Sequence, residues 1–168
     1  VFMEQDTCSN VLGSLDSDIR SNLLEIMQEE SFLAGEQIFA QGDPASDFFV
    51  VVSGRVKVKR VTRDGHEMIL CMIGQDGCFC PLAVMDDGTQ LGMAQAATNV
   101  ALLSVKAADF RKFYQNNPQL ANKMIKTCLH DMRQLVERLE SLTFENLKRR
   151  LARILLEKSV AIPIDHTT

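Results

Sequence analysis

Residues 118–142, PQLANKMIKTCLHDMRQLVERLESL, constrain this chain more than any other stretch. Pro118 fits a first helical position, and Asn117 before it is suited to capping the exposed N–H groups. No Gly or further Pro occurs as far as Leu142. Apolar residues recur at Ile125, Cys128, Met132, Leu135, Leu139 and Leu142, in alternating steps of three and four. That is a heptad seam, the pattern of two helices winding around each other. At roughly 1.5 Å per residue the helix is about 37 Å long, more than one small domain covers. Leu129 and Val136 widen the stripe, so one flank can pack on its own domain while the seam meets a second copy. The competing reading is an amphipathic helix buried within one subunit. From Ile125 to Leu142, Lys, Arg, Asp and Glu fill six of the ten remaining positions, which favours the seam and a homodimer.

Upstream the period changes. Residues 1–14 carry little pattern and read as an N-terminal arm. Asp16 and Ser17 offer caps for a helix through Ile19, Leu23, Leu24, Ile26 and Met27. From Phe32 to Val105 the chain reads as short strands punctuated by Gly, Asp, Asn and Pro. Phe48 to Val52 is a continuous apolar run, as in a strand covered on both faces. Val56-Lys57-Val58-Lys59 alternates, with Lys57, Lys59 and Arg60 expected on a solvated face. Arg63-Asp64-Gly65-His66 marks a hairpin. Six to eight strands at this spacing predict a sandwich or jelly roll. Helical character returns over Ala107 to Tyr114, and again over Phe144 to Lys158.

Composition narrows the function classes. A net charge of −4 and a pI near 5.4 make these 168 residues alone a poor grip for nucleic acid. No apolar run approaches the roughly 18 residues needed to span a bilayer, so no membrane partner is expected. The five cysteines are odd in number and irregularly spaced, and no signal peptide opens the chain. Thiols in a reducing cytoplasm are expected rather than a disulfide frame. No nucleophile–base pair, metal cluster or phosphate loop stands out, so an enzyme is not expected.

A small β-roll followed by a long dimer helix and a second helix resembles the Crp/Fnr family of bacterial transcription regulators. The resemblance rests on Gly35-Glu36-Gln37-Ile38, on Gln41-Gly42-Asp43 and on Asp47 through Val58 with Ser53-Gly54-Arg55 at its turn. Asp64-Gly65 and Gly74 follow at matching spacing, and Leu142-Thr143-Phe144 with Leu147 and Arg150-Leu151-Ala152 is similar to the family's hinge. It implies a mainly β plus α fold, a cyclic-nucleotide-binding-like jelly roll (a double-stranded β-helix) followed by a dimerisation helix. The divisions are an effector-sensing roll with flanking helices at 15–116, the helix at 117–142, and a hinge at Leu142, Thr143 and Phe144. Residues 143–168 would open a winged helix-turn-helix domain, before which this chain stops. DNA, reached through that domain, and RNA polymerase are the partners it implies. Lys148, Arg149, Arg150 and Arg153 would lie near a DNA backbone. A regulatory roll that controls a fused or partner protein without DNA is the alternative.

Cyclic-nucleotide members of the family neutralise a phosphate with an Arg and accept from a ribose hydroxyl with a Glu. Here the cassette is Gly77-Cys78-Phe79-Cys80-Pro81-Leu82-Ala83-Val84-Met85. Pro81 stands at the Glu position, Gln90 near the Arg position, and no Arg or Lys occurs between Gly65 and Val105. Leu135 and Val136 stand where the family's long helix offers hydroxyls. A phosphate buried here lacks its counter-charge, so cyclic nucleotide binding is not expected. Cys80-Pro81 is instead similar to a haem-regulatory pair, with Cys80 as the iron ligand and Phe79, Leu82, Val84 and Met85 as an apolar roof over Leu135 and Val136. The effector-binding set is therefore Cys78, Phe79, Cys80, Pro81, Leu82, Leu135 and Val136. The signal favoured is haem with a diatomic gas, or thiol redox, with an uncharged organic effector or no ligand as the alternatives. His66 and His130 are alternative second ligands. An iron–sulfur cluster is disfavoured, since only Cys8 lies in the N-terminal region where the oxygen-sensing branch carries its cysteines. The competing reading makes Cys78 and Cys80 small buried hydrophobes.

Overall fold

The computed structural model describes residues 15–79, 81–144, 152, 155 and 156. Among them the order is α1 (Ser17–Glu25), β1 (Gln28–Phe32), β2 (Gln37–Phe39), β3 (Asp47–Ser53), β4 (Val56–Val61), β5 (Glu67–Ile73), β6 (Cys78–Phe79), α2 (Pro81–Met85), β7 (Met93–Ala96), β8 (Val100–Lys106), α3 (Ala107–Asn116) and α4 (Pro118–Phe144). The strands make two antiparallel four-stranded sheets, β1-β8-β3-β6 and β2-β7-β4-β5. This is the jelly roll expected from the strand spacing. Two compact units divide at Thr127 and Cys128, one holding the roll and the start of α4, the other the rest of that helix.

The apolar run of β3 is covered on both faces from Phe48 to Val51, as its composition predicts, whereas Val52 at its end is 42% exposed. Phe49 and Val51 point between the sheets, with Val56, Val58, Phe79, Ala94 and Leu102. Phe48 and Val50 point the other way, into a second core closed by helices and holding Leu23, Val84, Phe110, Leu120 and Met124. Phe48 stacks on Phe110 with ring centroids 3.9 Å apart. Strand alternation thus sends one sheet's side chains into two cores.

β4 departs from its expected alternation. Val56 and Val58 are buried, but so is Lys59, at 8% exposure. The β4–β5 register shifts between Val58 and Lys59, leaving Leu70 as the extra residue of a bulge. Gly92 on the adjoining segment comes so close that a Cβ there would lie 2.8 Å from the Lys59 carbonyl oxygen. The Lys59 ammonium meets Glu67 at 2.7 Å, so it is not part of a solvated row. At the β3–β4 turn, Gly54 has φ +83, and a Cβ would fall 2.2 Å from the Asn99 carbonyl oxygen. Only glycine fits both demands.

β1 begins at Gln28, earlier than the apolar pattern suggested. It is an edge strand paired only with β8, so its polar residues meet solvent and disguise it. The expected caps also act differently. Asp16 makes no side-chain bond to the start of α1; its carboxylate accepts from Gln119 at 2.8 Å. Asn117 donates its side-chain amide back to the Phe113 carbonyl at 2.7 Å, closing α3 instead of opening α4. Its main-chain carbonyl accepts from the Ala121 N–H at 3.1 Å. α4 runs 27 residues, and passes without a break through Leu142, Thr143 and Phe144.

Candidate functional site

β6, α2 and the turn beyond them form the cassette. Its two strand residues part company because successive side chains leave opposite faces. Cys78, 3% exposed, enters the helix-side core, while Phe79, 2% exposed, lies between the sheets. The Phe79 ring stacks on Phe49 at 5.2 Å. Cys80 lies outside the described residues. Pro81 opens α2 and offers no N–H to a ligand. Ala83 and Val84 are buried, and Leu82 is about half exposed. The apolar roof expected of Phe79, Leu82, Val84 and Met85 is thus divided: Val84 and Met85 pack into the helix-side core, Phe79 into the other.

Past the cassette, Thr89 bridges Pro44. The Gln90 N–H donates to the Asp43 carbonyl at 2.8 Å, and its carbonyl accepts from the Gly42 N–H at 2.9 Å. These bonds fix the backbone, and the side chain is 3% exposed, with no hydrogen-bond partner for its Oε1 among the described residues. A neutral amide carries no charge with which to balance a buried anion.

Two cations border this region, and each is already engaged. The Lys59–Glu67 hydrogen bond holds the Glu67 carboxyl below its ordinary range, against desolvation and helped by the charges of Lys59 and Lys57. Arg111 donates to the Val84 carbonyl at 2.9 Å and pairs with Asp87 at 2.7 Å. Sequence reading passed over Arg111 altogether and took Lys59 for a surface charge. The only hint was the Asp-Asp-Gly turn, which has to be held by something. Among the described residues, no group of three His, Cys, Asp or Glu could hold a metal ion, and no helix is long and apolar enough to cross a membrane.

In the second unit the seam is open. Met132, Leu135, Val136 and Leu139 are 53–62% exposed, and in the first unit's part of α4 Ile125 is 49% exposed. Cys128 is half-buried. His130 pairs with Gln134 along the helix at 3.0 Å, and His66 lies in the β4–β5 hairpin, its N–H bonded to the Thr62 hydroxyl. The Leu142 side chain and the basic residues Lys148, Arg149, Arg150 and Arg153 lie outside the described set.

Residues 29–117 match the model of the cyclic nucleotide-binding domain. A "CRP-like cAMP-activated global transcriptional regulator" of Mycobacterium tuberculosis is 27% identical over 135 residues, covering 80% of this chain and 60% of its own. The "Global nitrogen regulator" of Synechococcus elongatus is 30% identical over 132 residues, covering 77% and 60%. The crystal structure of the Thermus thermophilus Catabolite Activator Protein superposes with a TM-score of 0.75 at 25% identity, over 82% of this chain and 64% of that one. The chain spans about 60% of the length of these regulators. With the roll, the cassette and the long helix in this order, the chain belongs to the cyclic nucleotide-binding domain family, in the form that Crp/Fnr-type regulators carry.

Proposed function

We propose that this chain is the sensing and dimerising portion of a Crp/Fnr-type transcription regulator whose signal is not a cyclic nucleotide. The names of its relatives support the regulatory half of that reading. The observation that carries the other half is Gln90, an uncharged and buried side chain where a phosphate ligand needs a cation. Two copies pair along the seam from Ile125 to Leu142, and DNA is reached through a further domain. An effector bound at the cassette would bias two arrangements of the paired helices, provided it binds them with different affinity.

Cys80 is the cassette residue best suited to receive the signal. Cys78 is turned into the helix-side core, and Cys80 is taken as the ligand thiol. As a thiolate it would hold haem iron, which would supply the gas chemistry when bound. The same thiol, oxidised and reduced, would serve a redox signal. The test is an absorption spectrum after reconstitution with haem, in Cys80→Ala beside the parent protein. A Soret band that shifts on substitution is expected. An unchanged band removes Cys80 as ligand, and no uptake removes haem, leaving thiol redox to be read from Cys80 alkylation rates.

A further inference from the structure

Arg111 joins elements that are far apart in sequence. It projects from the middle of α3, and its Nη1 makes both of the contacts described above, to Val84 and to Asp87. α2 is a single turn of five residues, so its last carbonyls lack donors within the helix. Asp87 has φ +56, in the left-handed region that costs a residue with a side chain. The turn is closed by the Asp86 carboxylate accepting from the Gly88 N–H at 2.9 Å, and by bonds from Asp86 to Leu82 and from Gly88 to Ala83. One guanidinium therefore holds both the open end of α2 and the strained residue after it.

Beneath this clamp lies the helix-side core. Val84 of α2 and Phe110 of α3 are fully buried in one cluster, which also takes Leu120 and Met124 from the first turns of α4. We propose that Arg111 is a positioning residue that makes the cassette, α3 and the opening turns of α4 move as one body. A displacement at α2 then arrives at Leu120 and Met124 through Phe110, without the effector having to touch α4. This rests on the sensory reading above, whose cassette it connects to the dimer helix.

Amide hydrogen exchange in the intact chain tests it, comparing the parent protein with Asp87→Asn and Arg111→Met. The Asp87 side chain is 72% exposed, so Asp87→Asn leaves both cores filled. Loss of the exposed ion pair in Asp87→Asn is expected to speed exchange at Asp86 and Gly88 about threefold, and loss of both contacts in Arg111→Met about tenfold. The coupled response, at Ala121 through Met124, is expected to be about twofold in Asp87→Asn and about threefold or more in Arg111→Met, with Ala96 in β7, whose N–H donates to the Glu36 carbonyl at 2.9 Å, unchanged. Acceleration confined to the α2 turn, or none, overturns the proposal. A uniform rise that includes Ala96 also overturns it, because that is general destabilisation. Neither variant touches Gln90 or the seam, so the ligand and dimer tests succeed or fail independently of this one.

Discussion

At Gln90 a side-chain carbonyl has been taken out of water and given nothing in return. Desolvating such a group costs about 1–3 kcal/mol by mutational measures. Replacing it with an apolar side chain of similar length removes that cost. Gln90→Met is therefore expected to leave stability unchanged or raise it by up to about 1 kcal/mol in urea denaturation. A loss above about 1 kcal/mol would show that the amide has a partner after all. Half of this was legible beforehand, because the absence of Arg and Lys from residues 66–104 is plain in the sequence. The burial was not. It follows from backbone bonds to Gly42 and Asp43, which are distant in sequence and leave no local pattern. Arg111 was hidden for the same reason, since its partners Val84 and Asp87 lie on another element.

Strand by strand, the pattern was readable where one rule governs and failed where two compete. β3 announced its two covered faces because every residue from Phe48 to Val52 is apolar. β4 looked amphipathic, yet the bulge opposite Lys59 drew its stem into cover and its ammonium onto Glu67. That pair gives the β4–β5 hairpin a response to acid. The folded protein holds the Glu67 carboxyl below its ordinary 4.5, so the unfolded chain binds the proton more readily. The pair's contribution is present above that ordinary value and is lost as pH falls through the depressed one. Glu67→Gln is expected to flatten the decline in thermal midpoint below pH 4.5, with little change near neutrality because the carboxylate is exposed. An acid limb identical to the parent's would remove the hairpin pair from the account. The helix starts misled in a different way: Asp16 and Asn117 have capping chemistry, but the Asp16 side chain is claimed by distant Gln119 and that of Asn117 by the Phe113 carbonyl one turn back in α3.

For the whole molecule, the long helix was the most legible element, and α4 extends about 40 Å at 1.5 Å per residue. Its apolar stripe is left open in the single chain, which fits a partner helix lying along it. Placing carboxylates at Leu135 and Leu139 would bury two unpaired charges in such a seam. The double variant Leu135→Asp, Leu139→Asp is expected to sediment as a monomer where the parent is a dimer, with dissociation raised at least about a hundredfold. An intact dimer in the variant would place the subunit contact elsewhere. Residues 66–104 hold no Arg or Lys, and the most direct measurement addresses that missing charge. Cyclic AMP titrated into the purified chain by calorimetry is expected to give no saturable binding up to about 1 mM, an affinity weaker than about −4 kcal/mol. Saturation in the micromolar range, about −8 kcal/mol, would mean that a phosphate finds its counter-charge in the roll, contrary to the account given for Gln90.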